Sequence, residues 1–81
     1  MILRHIIEDL DGLEFTVAFE FHRELDGMLV FDGAWEIETI VGDDGDYLFP
    51  SDLTNPDQMV HRWLSSGGED IIYAAAEREL K

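Results

Sequence analysis

Leu13 to Arg23 alternate strictly between two kinds of side chain, and an Asp-Gly dipeptide stands shortly before and shortly after the run. Leu13, Phe15, Val17, Phe19 and Phe21 fall at odd positions; Glu14, Thr16, Ala18, Glu20 and His22 fall at even ones. Successive side chains of a β-strand point to opposite faces, so this pattern predicts a strand with one buried face and one wet face. Four Asp-Gly dipeptides punctuate the first half: Asp11-Gly12, Asp26-Gly27, Asp32-Gly33 and Asp44-Gly45. Both residues tolerate positive φ, which tight hairpin turns demand. The chain is therefore expected to fold back on itself repeatedly, as an antiparallel meander.

The neighbouring segments fit that plan. Residues 2–7 supply a first strand, hairpinned to Leu13–Arg23 through Asp11-Gly12. Residues 28–31 read either as a short strand or as an apolar loop. Residues 35–41 repeat the alternation less strictly, with Trp35, Ile37, Thr39 and Val41 on one face and Glu36 and Glu38 on the other. Asp44-Gly45 turns the chain into Tyr47-Leu48-Phe49, and Pro50 ends that short strand.

The texture changes after Pro50. In Thr54-Asn55-Pro56-Asp57, Thr54 or Asn55 is a candidate N-cap, Pro56 suits the first helical position, and Asp57 complements the helix dipole. Val60, Trp63 and Leu64 follow at i, i+3 and i+4 as an apolar stripe. Gly67-Gly68 interrupts the helix. A second helix is expected over 69–80, burying Ile72, Ala75, Ala76 and Leu80, with Ile71 beside them. A sheet with one apolar face needs a cover, and these helices are the available one. The expected fold is α+β: an antiparallel β-meander of three to five strands with one or two C-terminal helices packed on one face. Residues 1–81 make a single domain, because this length has room for one core.

A domain this small buries only roughly 60–65% of the surface its unfolded chain exposes. It also lacks cysteine, which removes disulfides and thiolate metal sites. Its apolar residues, 46% of the chain, must stabilise the fold. The unusual quantity is charge: 19 Asp and Glu against five Lys and Arg, net −14. Residues 1–57 hold 15 of the acids against Arg4 and Arg23, and residues 58–81 hold four against Arg62, Arg78 and Lys81. Such a chain repels nucleic acid and anionic membranes and attracts basic surfaces. Neither an export signal nor an apolar run of about 20 residues is present, so the expected location is cytoplasmic.

Catalytic patterns are absent from the sequence. His5, His22 and His61 are far apart and belong to no spaced motif, and Ser51, Ser65 and Ser66 do not stand in a nucleophile elbow. Gly67-Gly68 lacks the spacing and the lysine of a phosphate loop. The Asp-rich segments 9–14 and 42–46 do not match the EF-hand spacing, and turn geometry accounts for their aspartates. No enzyme, cofactor or metal is therefore expected. What remains is the acidic surface. Glu14, Glu20, Glu36 and Glu38 on the outer face of the sheet, with Asp43, Asp44 and Asp46 at the adjoining turn, are the expected partner-binding residues. Trp35, Tyr47 and Phe31 would serve as apolar anchors wherever they are not core.

Two strands, a Gly/Asp turn and a helix ending Glu69-Asp70-Ile71-Ile72-Tyr73-Ala74-Ala75-Ala76-Glu77-Arg78-Glu79 resemble many short acidic proteins encoded by phages and prophages. The resemblance covers most of the chain and rests on texture, without a shared site. It implies either a nucleic-acid mimic that inhibits a host enzyme, as some anti-CRISPR proteins do, or a small accessory protein. The expected function is thus a non-enzymatic binding protein that docks on a basic surface of a partner, such as a nucleic-acid-binding enzyme. The alternative is a small structural or accessory component whose acidity serves only solubility. A homodimer is compatible with either.

Overall fold

The computed structural model describes residues 1–79. Four strands, β1 (Ile2–Leu10), β2 (Leu13–Arg23), β3 (Leu29–Val41) and β4 (Tyr47–Leu48), pair in sequential order as an antiparallel meander. A short 3₁₀ turn (Pro50–Asp52) follows, then α1 (Pro56–Trp63) and α2 (Glu69–Glu79). The two helices form one nearly continuous helical run, kinked where Gly67 takes φ +109°. The fold is the expected α+β arrangement, with the helical run packed on one face of the sheet.

Three of the four Asp-Gly dipeptides turn the chain. Asp11 (φ 52°) and Gly12 (φ 78°) form the two-residue hairpin between β1 and β2, both residues left-handed as that tight turn requires. Asp26-Gly27 and Asp44-Gly45 make a second kind of turn, each in the same way. The aspartate Oδ1 accepts the N–H two residues on (Met28 at 3.0 Å, Asp46 at 3.2 Å), and the glycine takes positive φ. Asp32-Gly33 departs from the expectation. It lies inside β3 as a bulge, with Gly33 at φ +81°, and the pairing jumps from Phe21↔Phe31 to Phe19↔Trp35. Residues 29–31 are therefore strand, continuous with 35–41, and Met28 belongs to the preceding turn.

A second irregularity in β3 corrects the expected facing of its C-terminal half. Between Val17↔Ile37 and Thr16↔Thr39 one extra residue, Glu38, is inserted. A one-residue insertion exchanges the faces beyond it. Trp35 and Ile37 face the helices as expected, but Ile40 is the next core residue, fully buried. Thr39 lies exposed and Val41 sits beside Glu14 on the outer face.

The core lies between the odd-numbered face of β2 and the helices. Phe15, Val17 and Phe19 are completely buried, joined by Leu3 and Ile7 of β1 and Ile40 of β3. Each such side chain contributes roughly 1.5–3 kcal/mol on burial. Val60 and Leu64 of the expected stripe are buried, with Met59 beside them, and Trp63 is half-buried. Its ring stacks on Phe19 at 6.2 Å and on His5 at 5.8 Å. From α2, Ile72, Ala75 and Ala76 are buried; Ile71 stays largely exposed, and Leu80 is outside the described residues. The Tyr73 hydroxyl accepts the Phe31 N–H at 2.8 Å, which ties α2 to β3 next to the Gly33 bulge. The helix start differs from expectation in one respect. Asn55 precedes Pro56 but has φ 52° and makes no side-chain capping bond.

The candidate acidic face

The face of the sheet turned away from the helices is uncovered among the described residues. Register and alternation place Ile2, Arg4, Ile6 and Glu8 of β1 there, with Glu14, Thr16, Ala18, Glu20 and His22 of β2. From β3 come Val30, Glu36, Glu38, Thr39 and Val41. All four glutamates expected on this face are on it, and all four are exposed. Glu14 and Glu20 are six residues apart along β2, about 20 Å at the rise of an extended strand.

The glutamates are not equivalent. Glu38, displaced by its bulge, is reached by Arg4 from the far side of the sheet, Nε lying 3.0 and 3.2 Å from its two carboxylate oxygens. The ion pair spans β2 because the intervening positions, Thr16 and Ala18, carry small side chains. Arg4 thus neutralises one carboxylate in the middle of the face, a contact that sequence reading missed. Glu14, Glu20 and Glu36 have no such cation partner within the described residues. Glu20 and Glu36 flank a shallow groove of about 340 Å³, lined also by Ile2, Ala18, Ala34 and Trp35. Across from Glu20 the groove is lined by the small Ala34, which follows the Gly33 bulge. Ile2, Ala18, Ala34 and Trp35 supply the groove's apolar side, and the two carboxylates contribute to a polar side of similar extent.

Asp43, Asp44 and Asp46 sit at the β3–β4 turn, at the end of the sheet where Glu14 pairs with Val41. Asp43 leans over the β1–β2 hairpin: its carboxylate oxygens lie 3.2 and 3.3 Å from where a Cβ on Gly12 would be. The two turns therefore meet, and Asp9, Asp11, Asp43, Asp44 and Asp46 form one acidic end continuous with Glu14. Asp44 is committed to its turn by the bond from Asp46 N–H. Among the described residues, no group of three or more His, Asp or Glu is arranged to hold a metal ion.

The aromatic anchors separate clearly. Phe31 and Trp35 pack on the core; Trp35 is further stacked by His61 at 6.4 Å. Tyr47 is 77% exposed and available, as is Phe49 at 73%. The aliphatic part of the face was also missed. Ile2 and Ile6 are each about half exposed, so carboxylates and aliphatic groups are mixed on one surface. At the opposite end of the sheet His22 lies between Asp32 and Glu24, hydrogen-bonded to both carboxylates, and these bonds raise its pKa above the ordinary histidine value. His5, on the helix side, has its pKa lowered, chiefly by burial and secondarily by the charge of Arg78.

No protein-family model, curated protein or solved structure matches this chain. None of its described helices is long and apolar enough to cross a membrane.

Proposed function

We propose that this chain is a non-enzymatic binding protein that docks its uncovered sheet face on a Lys/Arg-lined surface of a partner protein. The observation that carries the reading is the groove between Glu20 and Glu36. Apolar side chains set between two carboxylates suit a lysine or arginine, whose stem is aliphatic and whose head is cationic. Glu14 and the acidic end extend the same field along the strand direction. Surfaces of this kind steer basic partners into place and bind them with strong dependence on salt. A partner whose basic surface normally follows a phosphate backbone fits best, and occupying that surface would inhibit it.

A second reading keeps the same face and gives the acid no role in contact. Carboxylates also stand at the far end, on Glu24, Asp26 and Asp32, and along α2, on Glu69, Asp70, Glu77 and Glu79. Ile2, Ile6 and Tyr47 would then form an apolar interface of a small structural or accessory protein, with the acid maintaining solubility.

Affinity capture from the native host, followed by mass spectrometry and a salt titration of the captured complex, tests these readings. The docking reading expects a basic partner and affinity that falls steeply as salt rises. It also expects Glu20→Gln/Glu36→Gln to weaken binding by about tenfold or more, the loss of one to two charge-assisted contacts. Affinity indifferent to salt and to this substitution overturns it in favour of the apolar interface.

A further inference from the structure

The sheet has two edges, and they are treated differently. An exposed edge strand offers unpaired N–H and C=O groups to any passing strand, and folded proteins usually blunt it with bulges, lysines, prolines or a short covering strand. The β3 edge has several of these protections: the bulge at Asp32-Gly33, the bulge at Glu38, and β4 over Ile40 and Val41. Residues 2–7 of β1 have none, the bulge of that strand falling beyond them at Glu8-Asp9. They pair with β2 in unbroken register, from Ile2↔Glu20 to Ile7↔Phe15, and contain no glycine, proline, lysine or acid. In a chain of net charge −14, this six-residue stretch carries only Arg4.

The outward-pointing backbone groups can be identified. Met1 and Phe21 exchange both backbone bonds, Phe21 N to Met1 O and Met1 N to Phe21 O, each at 2.9 Å. Antiparallel pairs alternate between bonded and non-bonded residues. Leu3, His5 and Ile7 therefore bond to β2, and Ile2, Arg4 and Ile6 present their N–H and C=O groups to the open edge.

We infer that this edge pairs antiparallel with the β1 edge of a second copy, centred on His5, joining two sheets into one of eight strands. Any register that pairs even positions with even ones keeps the outer face outward, and two of these engage most of residues 2–7. One, centred on Arg4, sets Arg4 directly against Arg4 of the other copy, which like-charge repulsion disfavours. The other, centred on His5, sets Leu3 opposite Ile7, Arg4 opposite Ile6 and Ile2 opposite Glu8. It moves the two Arg4 side chains from directly opposed to diagonal positions and places Glu8 of the other copy on the second diagonal of each. That register supplies two intermolecular opposite-charge neighbours and continues the aliphatic surface of Ile2 and Ile6 across the seam. It meets the acidic groove only at Ile2, the other residues that line the groove lying on β2 and β3.

Sedimentation velocity of the full chain over a roughly hundredfold concentration range tests the inference, because dimer formation follows mass action. A reversible monomer–dimer equilibrium is expected. Its sign with salt is distinctive: the dimer strengthens as ionic strength rises, because screening relieves repulsion between two acidic copies and leaves backbone hydrogen bonds intact. Docking through the acidic face weakens under the same change, so the two proposals fail separately. Ile6→Lys, which would face Arg4 of the other copy, is expected to lower association by about tenfold. Ile71→Lys, the same charge change on an exposed position of α2, should leave it unaltered. In amide hydrogen exchange, Ile2, Arg4 and Ile6 should become protected as concentration rises. A monomer at every concentration overturns the inference. So does a dimer that leaves these three amides unprotected, or one equally weakened by Ile71→Lys.

Discussion

Gly67 and Gly68 stand side by side at the helix kink for unrelated reasons. Gly67 has φ +109° with open space around it, so its requirement is conformational. Gly68 has ordinary helical surroundings, but a Cβ there would lie 2.5 Å from the Trp63 ring and 2.6 Å from the Trp63 carbonyl oxygen. Its requirement is close approach, and it fixes how Trp63 lies over His5 and Phe19. Gly68→Ala is expected to destabilise the fold by about 1–3 kcal/mol, the usual range for overpacking, and to change the tryptophan fluorescence; urea denaturation followed at that signal measures both. The histidines allow a second prediction at this scale. His22 is held above the ordinary value near 6.5 by its bonds to Asp32 and Glu24, so its stabilisation is complete below that pH and is lost as pH rises through the raised pKa. His5 is held below that value by burial and by Arg78, so its contribution is complete above pH 6.5 and is lost as pH falls through the lowered pKa. NMR titration of the ring protons should place the midpoint of His22 above that of His5, and Asp32→Asn should bring His22 down while leaving His5 in place. The reverse order would contradict the packing described for both rings.

At the scale of the element, β3 does most to shape the candidate surface, and it is the hardest strand to read from the sequence. Strict alternation in β2 revealed its buried face directly, and the positive-φ requirement of Asp-Gly located three turns. Neither signal locates a bulge. An inserted residue changes no composition and is felt only through the partner strand, so Thr39 looked like a core-facing residue and Ile40 did not. The consequence for the site is specific. The four glutamates were legible because each falls opposite an apolar neighbour in its own strand. Arg4–Glu38 was not, because it depends on β1 and β3 flanking β2 and on the Glu38 bulge turning that carboxylate inward along the face. The groove was not legible either, since it depends on the bulge in β3 that sets Ala34 across from Glu20. What holds the bulged region in place is the bond from Phe31 N–H to the Tyr73 hydroxyl. Tyr73→Phe removes the acceptor and leaves a part-buried N–H unpaired, at an expected cost of about 1–2 kcal/mol. Hydrogen exchange should localise the loss to residues 29–35, with the β1–β2 hairpin unaffected; uniform loss across the sheet would show that the bulge is anchored elsewhere.

For the whole molecule, charge opposes folding while, in the proposed docking, it would favour association, and the two effects can be measured on the same residues. The helical layer carries Arg62 and Arg78, whereas among the described residues the outer sheet face carries one arginine, Arg4, and His22 against Glu8, Glu14, Glu20, Glu36 and Glu38. Neighbouring exposed carboxylates repel by about 1 kcal/mol in water at contact distances. Such repulsion is screened by salt, so the free protein should become more stable to urea as ionic strength rises. Glu20 and Glu36 share one groove and have no cation partner among the described residues, so they are the pair whose removal should matter most. Glu20→Gln/Glu36→Gln is expected to raise stability by a few tenths of a kcal/mol up to about 1 kcal/mol and to flatten its salt dependence. Glu38→Gln should do the opposite, because it leaves Arg4 without its carboxylate on a half-apolar face; exposure limits that loss to about 1 kcal/mol or less. A site retained against its own repulsion gives this signature: the substitution that stabilises the fold is the one that weakens partner binding. If Glu20→Gln/Glu36→Gln leaves stability and its salt dependence unchanged, the two carboxylates do not act on each other across the groove. The groove would then have no concentrated field with which to draw in a cationic side chain.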